Sequence, residues 1–366
     1  MTASDLISYI STQELVSRLD VDESLYMIDV REPDEVADWQ IPGVHNIPLG
    51  TLERATSEVP EDRSLVVVCA KGARAQQGAE ILAEHGIASA VLNGGMAAWA
   101  ATYDVVAGEF GGATVIQVRR RGKGCLSYVV GAGERCVVID PSLDVAQYES
   151  VAAAHGWSIT HVLDTHLHAD HLSGARDLAR RSGAQLLLSP SDPFHFDFEP
   201  LTDGRRIELA DQVELTVSAV SVPGHTEGST MYQLGTSAIF TGDTLFLESV
   251  GRPDLADRAD IFAHNLYRSL HERVLPLADS TMVFPAHYGT AVDVTAGEFV
   301  ARRLGELRTT LPALVLSEDD FVAWAIANVK DRPPNYQRIV RINAGLEAMT
   351  NDAAEVELGP NRCAIA

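Results

Sequence analysis

An α/β fold in two domains is what this sequence predicts, on three observations. Strand-like apolar runs alternate with helical stretches through roughly the first hundred residues, the pattern of a parallel sheet covered by helices. Beyond them, apolar runs end repeatedly in loops that carry His or Asp. The length of 366 residues also exceeds what a single hydrophobic core usually serves. Lys and Arg number 28 against 51 Asp and Glu, a net charge of −23, so phosphate backbones and anionic membranes would be repelled. Neither nucleic acid nor membrane is an expected partner. The four cysteines, Cys69, Cys125, Cys136 and Cys363, form no CxxC pair and fit free thiols in a reducing, cytoplasmic setting. Residues 1–10 lack the basic start and apolar core of a secretory signal, and no apolar run reaches the roughly 18 residues of a membrane span.

Taken in order, Ser11-Thr12-Gln13-Glu14 has the S-x-x-E form of a capping box and should open a helix through Leu19. A strand is expected over Tyr26 to Val30, and an amphipathic turn then leads to Ile41-Pro42-Gly43-Val44-His45-Asn46-Ile47-Pro48-Leu49. A second apolar strand, Leu65 to Val68, ends at Cys69, and a helix runs from the following loop to His85, where Gly86 stops it. Ala90 to Leu92 makes another short strand before Gly94-Gly95. Cys69 therefore sits at a strand end beside a helix N-terminus. Backbone N–H groups of residues 70–74 could form an anion-binding nest there, with Lys71 and Arg74 adding positive charge. A small buried hydrophobe is the commoner role for cysteine, but such a loop favours a reactive thiolate.

Residues 5–104 resemble a single rhodanese (sulfurtransferase) domain. The likeness is carried by Asp29-Val30-Arg31, by the Ile41–Leu49 segment, by the loop Cys69 to Arg74 and by Asn93-Gly94-Gly95-Met96-Ala97-Ala98-Trp99. Four residues separate Cys69 from Arg74, as in the sulfur-handling loop, whereas related phosphatases have five. Gln40 departs from the histidine usual before Ile-Pro-Gly. The resemblance implies a persulfide on Cys69, with Lys71 and Arg74 helping to bind an anionic sulfur donor. The Gly-rich, aperiodic stretch Val105 to Ala113 reads as a short connector, which gives a first domain over 1–106.

In the second domain, Cys125 to Val130 and Cys136 to Ile139 read as a hairpin, with both cysteines in the core. Next comes Thr165-His166-Leu167-His168-Ala169-Asp170-His171, three imidazoles and a carboxylate within six residues. These are ligands for Zn, Fe or Mn and include no soft thiolate. His166 and His168 are two apart, not the three or four that share a helix face, so a strand end and loop are expected, between a strand over Ile159 to Leu163 and a helix over Ser173 to Arg181. Further strands are expected at Gln185 to Leu188, Arg205 to Leu209 and Val213 to Val222. His225 in Pro223-Gly224-His225-Thr226, Asp243 in Thr241-Gly242-Asp243-Thr244 and His287 in Phe284-Pro285-Ala286-His287 each follow an apolar run. A Gly or Pro beside each permits a sharp turn or close backbone approach.

Residues 112–310 resemble the metallo-β-lactamase fold, an αββα sandwich with metal ligands on loops at one edge, and all seven ligand positions are filled: His166, His168, Asp170, His171, His225, Asp243 and His287. Gly251-Arg252-Pro253-Asp254 is similar to the Gly-Arg-x-Asp segment of persulfide dioxygenases, although Val250 stands where that family often has Cys. The resemblance implies one Fe(II) per chain on His166, His225 and Asp243, with His168, Asp170, His171 and His287 around it. It further implies that Arg252 pairs with a glutathione carboxylate and that Thr226 lines the pocket. The reaction it implies converts glutathione persulfide and O₂ to sulfite and glutathione. Cys69 would exchange sulfur among thiosulfate, persulfide and sulfite. A glyoxalase II-like thioester hydrolase with two Zn ions per chain on all seven ligands is the nearest alternative, and a sulfur carrier with a structural metal is a third. The tail, 311–366, has a helical candidate at Phe321 to Val329, a stop at Pro333-Pro334 and a further short helix after Asn335-Tyr336-Gln337-Arg338. It is expected to pack against the core or a partner chain, which admits a homo-oligomer.

Overall fold

The computed structural model describes all residues except 1, 2, 20, 23, 61, 203, 211, 212, 256, 257, 290, 291, 293, 330, 331, 333, 334, 351, 365 and 366. The expected stop at Pro333-Pro334 lies outside the described residues. The chain divides into two compact units: Met1–Asp104 with Arg120–Lys123 and Leu358–Pro360, and Val105–Arg119 with Gly124–Glu357 and Asn361–Ala366. Among the described residues no helix is long and apolar enough to cross a membrane.

In the first unit, strands β1 (Ile7–Ile10), β2 (Leu25–Asp29), β3 (His45–Asn46), β4 (Ser64–Val68) and β5 (Ser89–Leu92) form one parallel sheet in the order β1-β5-β4-β2-β3. Side chains alternate across it. Leu65, Val67 and Cys69 enter one core with Ala75, Ala79 and Leu82, while Val66 and Val68 enter another with Leu15, Met96 and Trp99. Burial on both faces explains the unbroken apolar run at β4. The Ser11 hydroxyl caps the first helix, Thr12–Leu19, by accepting from the Glu14 N–H at 3.1 Å. In Asp29-Val30-Arg31 the Arg31 guanidinium grips the fully buried Asp29 carboxylate at 2.7–3.0 Å and bonds the Trp39 carbonyl at 2.6 Å. The motif is a structural clasp.

The second unit holds two sheets. The first comprises β6 (Tyr103–Phe110), β7 (Ala113–Arg120), β8 (Cys125–Ala132), β9 (Arg135–Ile139), β10 (Ser158–Leu163), β11 (Gln185–Leu188) and β12 (Glu199–Pro200), adjacent in reverse chain order. The second comprises β13 (Arg206–Ala210), β14 (Val213–Ser221), β15 (Thr230–Leu234), β16 (Ala238–Gly242), β17 (Met282–Pro285) and β18 (Arg302–Arg303), in sequence order. One core unites their facing sides, with Val115, Leu126, Tyr128 and Val137 from the first sheet and Tyr232, Ile239, Phe240 and Phe284 from the second. Leu266, Leu270, Leu307 and Phe321 from the following helices join it. The expected strands at residues 185–188, 205–209 and 213–222 appear within a residue of their expected ends.

The stretch Val105 to Ala113 corrects the sequence reading: most of it is strand, not connector. Gly111 and Gly112 have φ of +58° and +87° and form the two-residue turn between β6 and β7, the geometry that a tight hairpin requires. The glycines mark a turn between strands, and the polar alternation of an exposed edge hides the strand itself.

Gly95 shows how the first unit fixes its loop. Its φ is +56° and a Cβ there would stand 2.1 Å from the Cys69 carbonyl oxygen, while the next two N–H groups, of Met96 and Ala97, donate to the carbonyls of Cys69 and Ala70 at 2.8 and 3.0 Å. Gly95→Ala is expected to cost roughly 2–4 kcal/mol through left-handed strain and overlap. Denaturant unfolding measures it, and an unchanged midpoint would contradict the steric account.

Candidate metal centre

The topology brings the ligand loops to one edge. β16 and β17 run parallel, with Phe240 beside Phe284, so Asp243 and His287 leave their strands at the same end. β10 delivers His166 to His171 on an irregular loop as expected, and the following helix occupies Ala175–Ser182. All seven expected ligands are 1–2% exposed.

Three of them converge. His166 Nε2 and His225 Nε2 lie 3.6 and 3.4 Å from Asp243 Oδ2, and none of these three buried atoms has a hydrogen-bond partner. Buried polar atoms are rarely left without a partner. Ligands about 2.1 Å from a common ion stand about 3.0–3.4 Å apart, so the set fits a metal ion. The other ring nitrogens are occupied: His166 Nδ1 lies 2.9 Å from Thr165 Oγ1, and His225 Nδ1 donates to the Arg252 carbonyl at 3.0 Å. That leaves the Nε2 lone pairs for the ion. Burial holds His166 and His225 below the usual imidazole range, in the neutral form a metal needs. Burial alone would raise Asp243, but the nearby His287 and His166 imidazoles hold it below the usual carboxylate range.

A second cluster adjoins the first through Asp243, whose Oδ1 accepts from His287 Nδ1 at 2.6 Å. His287 Nε2 lies 2.9 Å from Asp170 Oδ2, and Asp170 Oδ1 lies 3.1 Å from His171 Nδ1. Cys125 completes this group, with Sγ 3.9 Å from Asp170 Oδ2. This corrects the core assignment of Cys125. The residue opens β8, and an antiparallel bridge to His287 turns it toward the ligands. Cys136, on β9, is indeed core, and burial pushes its thiol up to about 12. Burial would raise Cys125 too, yet the His171 and His287 imidazoles bring it to about 6. Burial would lower His171, whereas Asp170 and Cys125 raise it to about 10. Cys363, given no role by the sequence, lies within reach of Asp243 and His287.

His168 faces elsewhere, its Nε2 3.2 Å from Asp140 Oδ1. Asp140, with a left-handed φ of +53°, also accepts from the Thr165 N–H and hydroxyl at 2.6 and 2.9 Å. Asp192, 5% exposed, accepts from the Leu167 and Gly228 N–H groups, both at 2.8 Å, and from the Thr226 hydroxyl at 3.1 Å. Neither carboxylate is marked by the ligand pattern. The one local hint is their position, Asp140 just past strand β9 and Asp192 shortly past β11. Thr226 thus braces the His225 turn. The Arg252 guanidinium is buried and holds Asp254 at 2.7 and 3.0 Å and the Arg362 carbonyl at 3.0 Å.

In the first unit Cys69 is buried at the end of β4, and its Sγ accepts from the Gly72 N–H at 3.1 Å. Lys71 is exposed on this loop. Arg74 turns to Glu35, giving it two bonds at 2.7 and 2.8 Å that draw the Glu35 carboxyl down to about 2.

A family model described as metallo-beta-lactamase superfamily matches residues 120–287, and one described as rhodanese-like domain matches residues 11–102. The mitochondrial persulfide dioxygenase ETHE1 of Bos taurus is 31% identical over 201 residues, covering 54% of this chain and 74% of that protein. The hydroxyacylglutathione hydrolase of Rhodospirillum rubrum is 34% identical over 164 residues, 44% of this chain and 60% of that protein. The crystal structure of ETHE1 from Myxococcus xanthus superimposes with a TM-score of 0.56 at 26% identity, covering 63% of this chain and 98% of the other.

Asp192→Ala is expected to destabilise the chain by roughly 2–4 kcal/mol, because two buried N–H groups lose their acceptor. Asp192→Asn keeps one oxygen and should fall between. Denaturation midpoints test the order, and equal midpoints for Asp192→Ala and wild type would refute it.

Proposed function

The chain belongs to the metallo-beta-lactamase superfamily, as a relative of its persulfide dioxygenases with a rhodanese-like domain at residues 11–102, and from that premise we propose that it oxidises glutathione persulfide and supplies its own substrate by sulfur transfer. The balanced reaction takes glutathione persulfide, O₂ and water to glutathione and sulfite. The observation that carries the reading is the convergence of the unpartnered His166 Nε2, His225 Nε2 and Asp243 Oδ2. Two imidazoles and a carboxylate with open positions form the ligand set of non-heme Fe(II) oxygenases. A bound Fe(II) would supply the coordination positions and redox chemistry that bring a persulfide sulfur and O₂ together.

The protein's own part is orientation. The Arg252 carbonyl and Thr165 hydroxyl aim the two imidazoles, and His287 holds the far oxygen of Asp243. Asp170, His171 and His287 would support the ion through Asp243 without binding it, and His168 would stay on Asp140. In this proposal Thr226 and Arg252 belong to the substrate wall, and Arg252 takes a glutathione carboxylate in exchange for Asp254. On the first domain, the Cys69 thiolate attacks the outer sulfur of thiosulfate and releases sulfite. The resulting persulfide passes that sulfur to glutathione, with Lys71 attracting the anionic donor and Arg74 shaping the loop from its Glu35 anchor. We divide the chain functionally into residues 1–106, 112–310 and 311–366, with the strand β6 across the first boundary belonging to the second unit's sheet. Four free cysteines suit a cytoplasmic setting.

A second reading has a specific observation behind it. The adjoining group of Cys125, Asp170, His171 and His287 could hold a second ion, which would make a two-zinc thioester hydrolase like the hydroxyacylglutathione hydrolases. Metal analysis and oxygen uptake separate the two. About one iron per chain with persulfide-dependent oxygen uptake, lost in His225→Ala and Asp243→Ala, is expected. Two zinc ions per chain with thioesterase activity would overturn the dioxygenase reading.

Cys69→Ser tests the coupling. Serine cannot carry sulfane sulfur, so the variant should consume oxygen with glutathione persulfide but not with thiosulfate plus glutathione. Wild-type uptake from that mixture would show that the rhodanese half does not feed the dioxygenase.

A further inference from the structure

The ligand loop between His166 and Ser173 has no strand or helix to satisfy its buried peptide groups, so other parts of the chain must do so. Asp140 serves the Thr165 N–H and Asp192 the Leu167 N–H. The later half of the loop is served from the tail. The helix Tyr336–Asn343 starts at Asn335, which is left-handed at φ +62° and whose Nδ2 donates to the Val356 carbonyl at 3.2 Å. Its Ile339 and Ile342 pack with Leu172 and Val356, and Asn343 ends it against the loop.

The Asn343 carboxamide is 7% exposed. Its Nδ2 donates to the carbonyls of His168 and His171 at 2.9 and 2.8 Å, and its Oδ1 accepts from the Ser173 N–H at 3.0 Å. Only one orientation of the amide works, since a flip would set its NH₂ against an N–H donor and its oxygen against two carbonyls. Glu357 adds a bond from the Leu172 N–H to its Oε2 at 2.7 Å. We propose that Asn343 is a positioning residue of the metal centre: it locks the peptides of His168 and His171, and so sets the turn that follows the ligand His166 and that reaches the ligand Asp243 through His171, Asp170 and His287. The inference rests on the metal-centre reading but not on which metal binds or what it catalyses.

The test measures Co(II) affinity of the full chain by chelator competition, without substrate or oxygen, alongside unfolding midpoints. Direct outer partners of metal ligands typically change affinity by about tenfold to a hundredfold, and Asn343 acts one link further out, so the lower end of that range applies. Asn343→Ala is expected to weaken Co(II) binding about tenfold or more and to alter the Co(II) absorption spectrum. Asn343→Asp, of the same volume, keeps the acceptor for Ser173 but loses both donors, so it should weaken binding as much; it carries the test if the alanine variant does not fold. Ile339→Ala loosens the same helix without touching the carboxamide. It should lower the unfolding midpoint while leaving Co(II) affinity within about threefold, below the range typical of outer partners. Wild-type affinity in both Asn343 variants, equal loss in Ile339→Ala, or no Co(II) binding by the wild type would each overturn the proposal. Co(II) binding without persulfide-dependent oxygen uptake in the iron-loaded wild type would sink only the dioxygenase reading.

Discussion

The Asp243 carboxylate is shared. One oxygen faces His166 and His225 and the other accepts from His287, so the two ligand clusters are joined through a single fully buried side chain. A buried carboxylate is costly unless cations, donors or a metal meet both oxygens. The surrounding architecture follows from meeting that demand. β16 and β17 must be parallel neighbours for Asp243 and His287 to emerge together, and β10 must end at the same edge to bring His166. A twisted two-sheet sandwich supplies both, with its shared core holding the strand ends in place.

The electrostatics divide the cluster into two kinds of histidine. His166 and His225 are kept neutral by burial, while His171 and His287 are raised by the Asp170 carboxylate beside them. Neutral imidazoles can bind a cation directly, whereas protonated ones act as counter-ions to carboxylates. The two adjoining groups therefore differ in the charge that they would present to an ion.

Both units build their candidate reactive positions in the same manner. A buried strand ends, the chain turns irregularly, and distant polar groups hold the turn. For Cys69 the holding contacts come from the Gly95 turn, and for His166 to His171 they come from Asp140, Asp192 and Asn343. Each holder satisfies peptide groups that regular structure would otherwise have satisfied, so each is buried and expensive to remove. A rigid scaffold with loop-borne chemistry is the general outcome of that division.

The sequence alone determined much of this. The capping box before Leu15, the apolar run at β4, the strand ends before Asp243 and His287 and the non-helical spacing of His166 and His168 are local patterns, set by side-chain period and turn chemistry over a few residues. They were enough to specify two α/β units, the Cys69 loop and the candidate ligands. Tertiary structure alone decided the rest. Nothing near Glu35 marks it as the partner of Arg74, 39 residues away. Nothing near Asn343 marks it as the support of Ser173, 170 residues away. Cys125 looked like core because a cysteine at the start of an apolar strand has no local sign of its neighbours, and the edge strand after Val105 looked like a linker because exposure erases its pattern. A hydrogen bond between distant residues leaves no periodicity in the chain; it exists only once the topology has closed the distance.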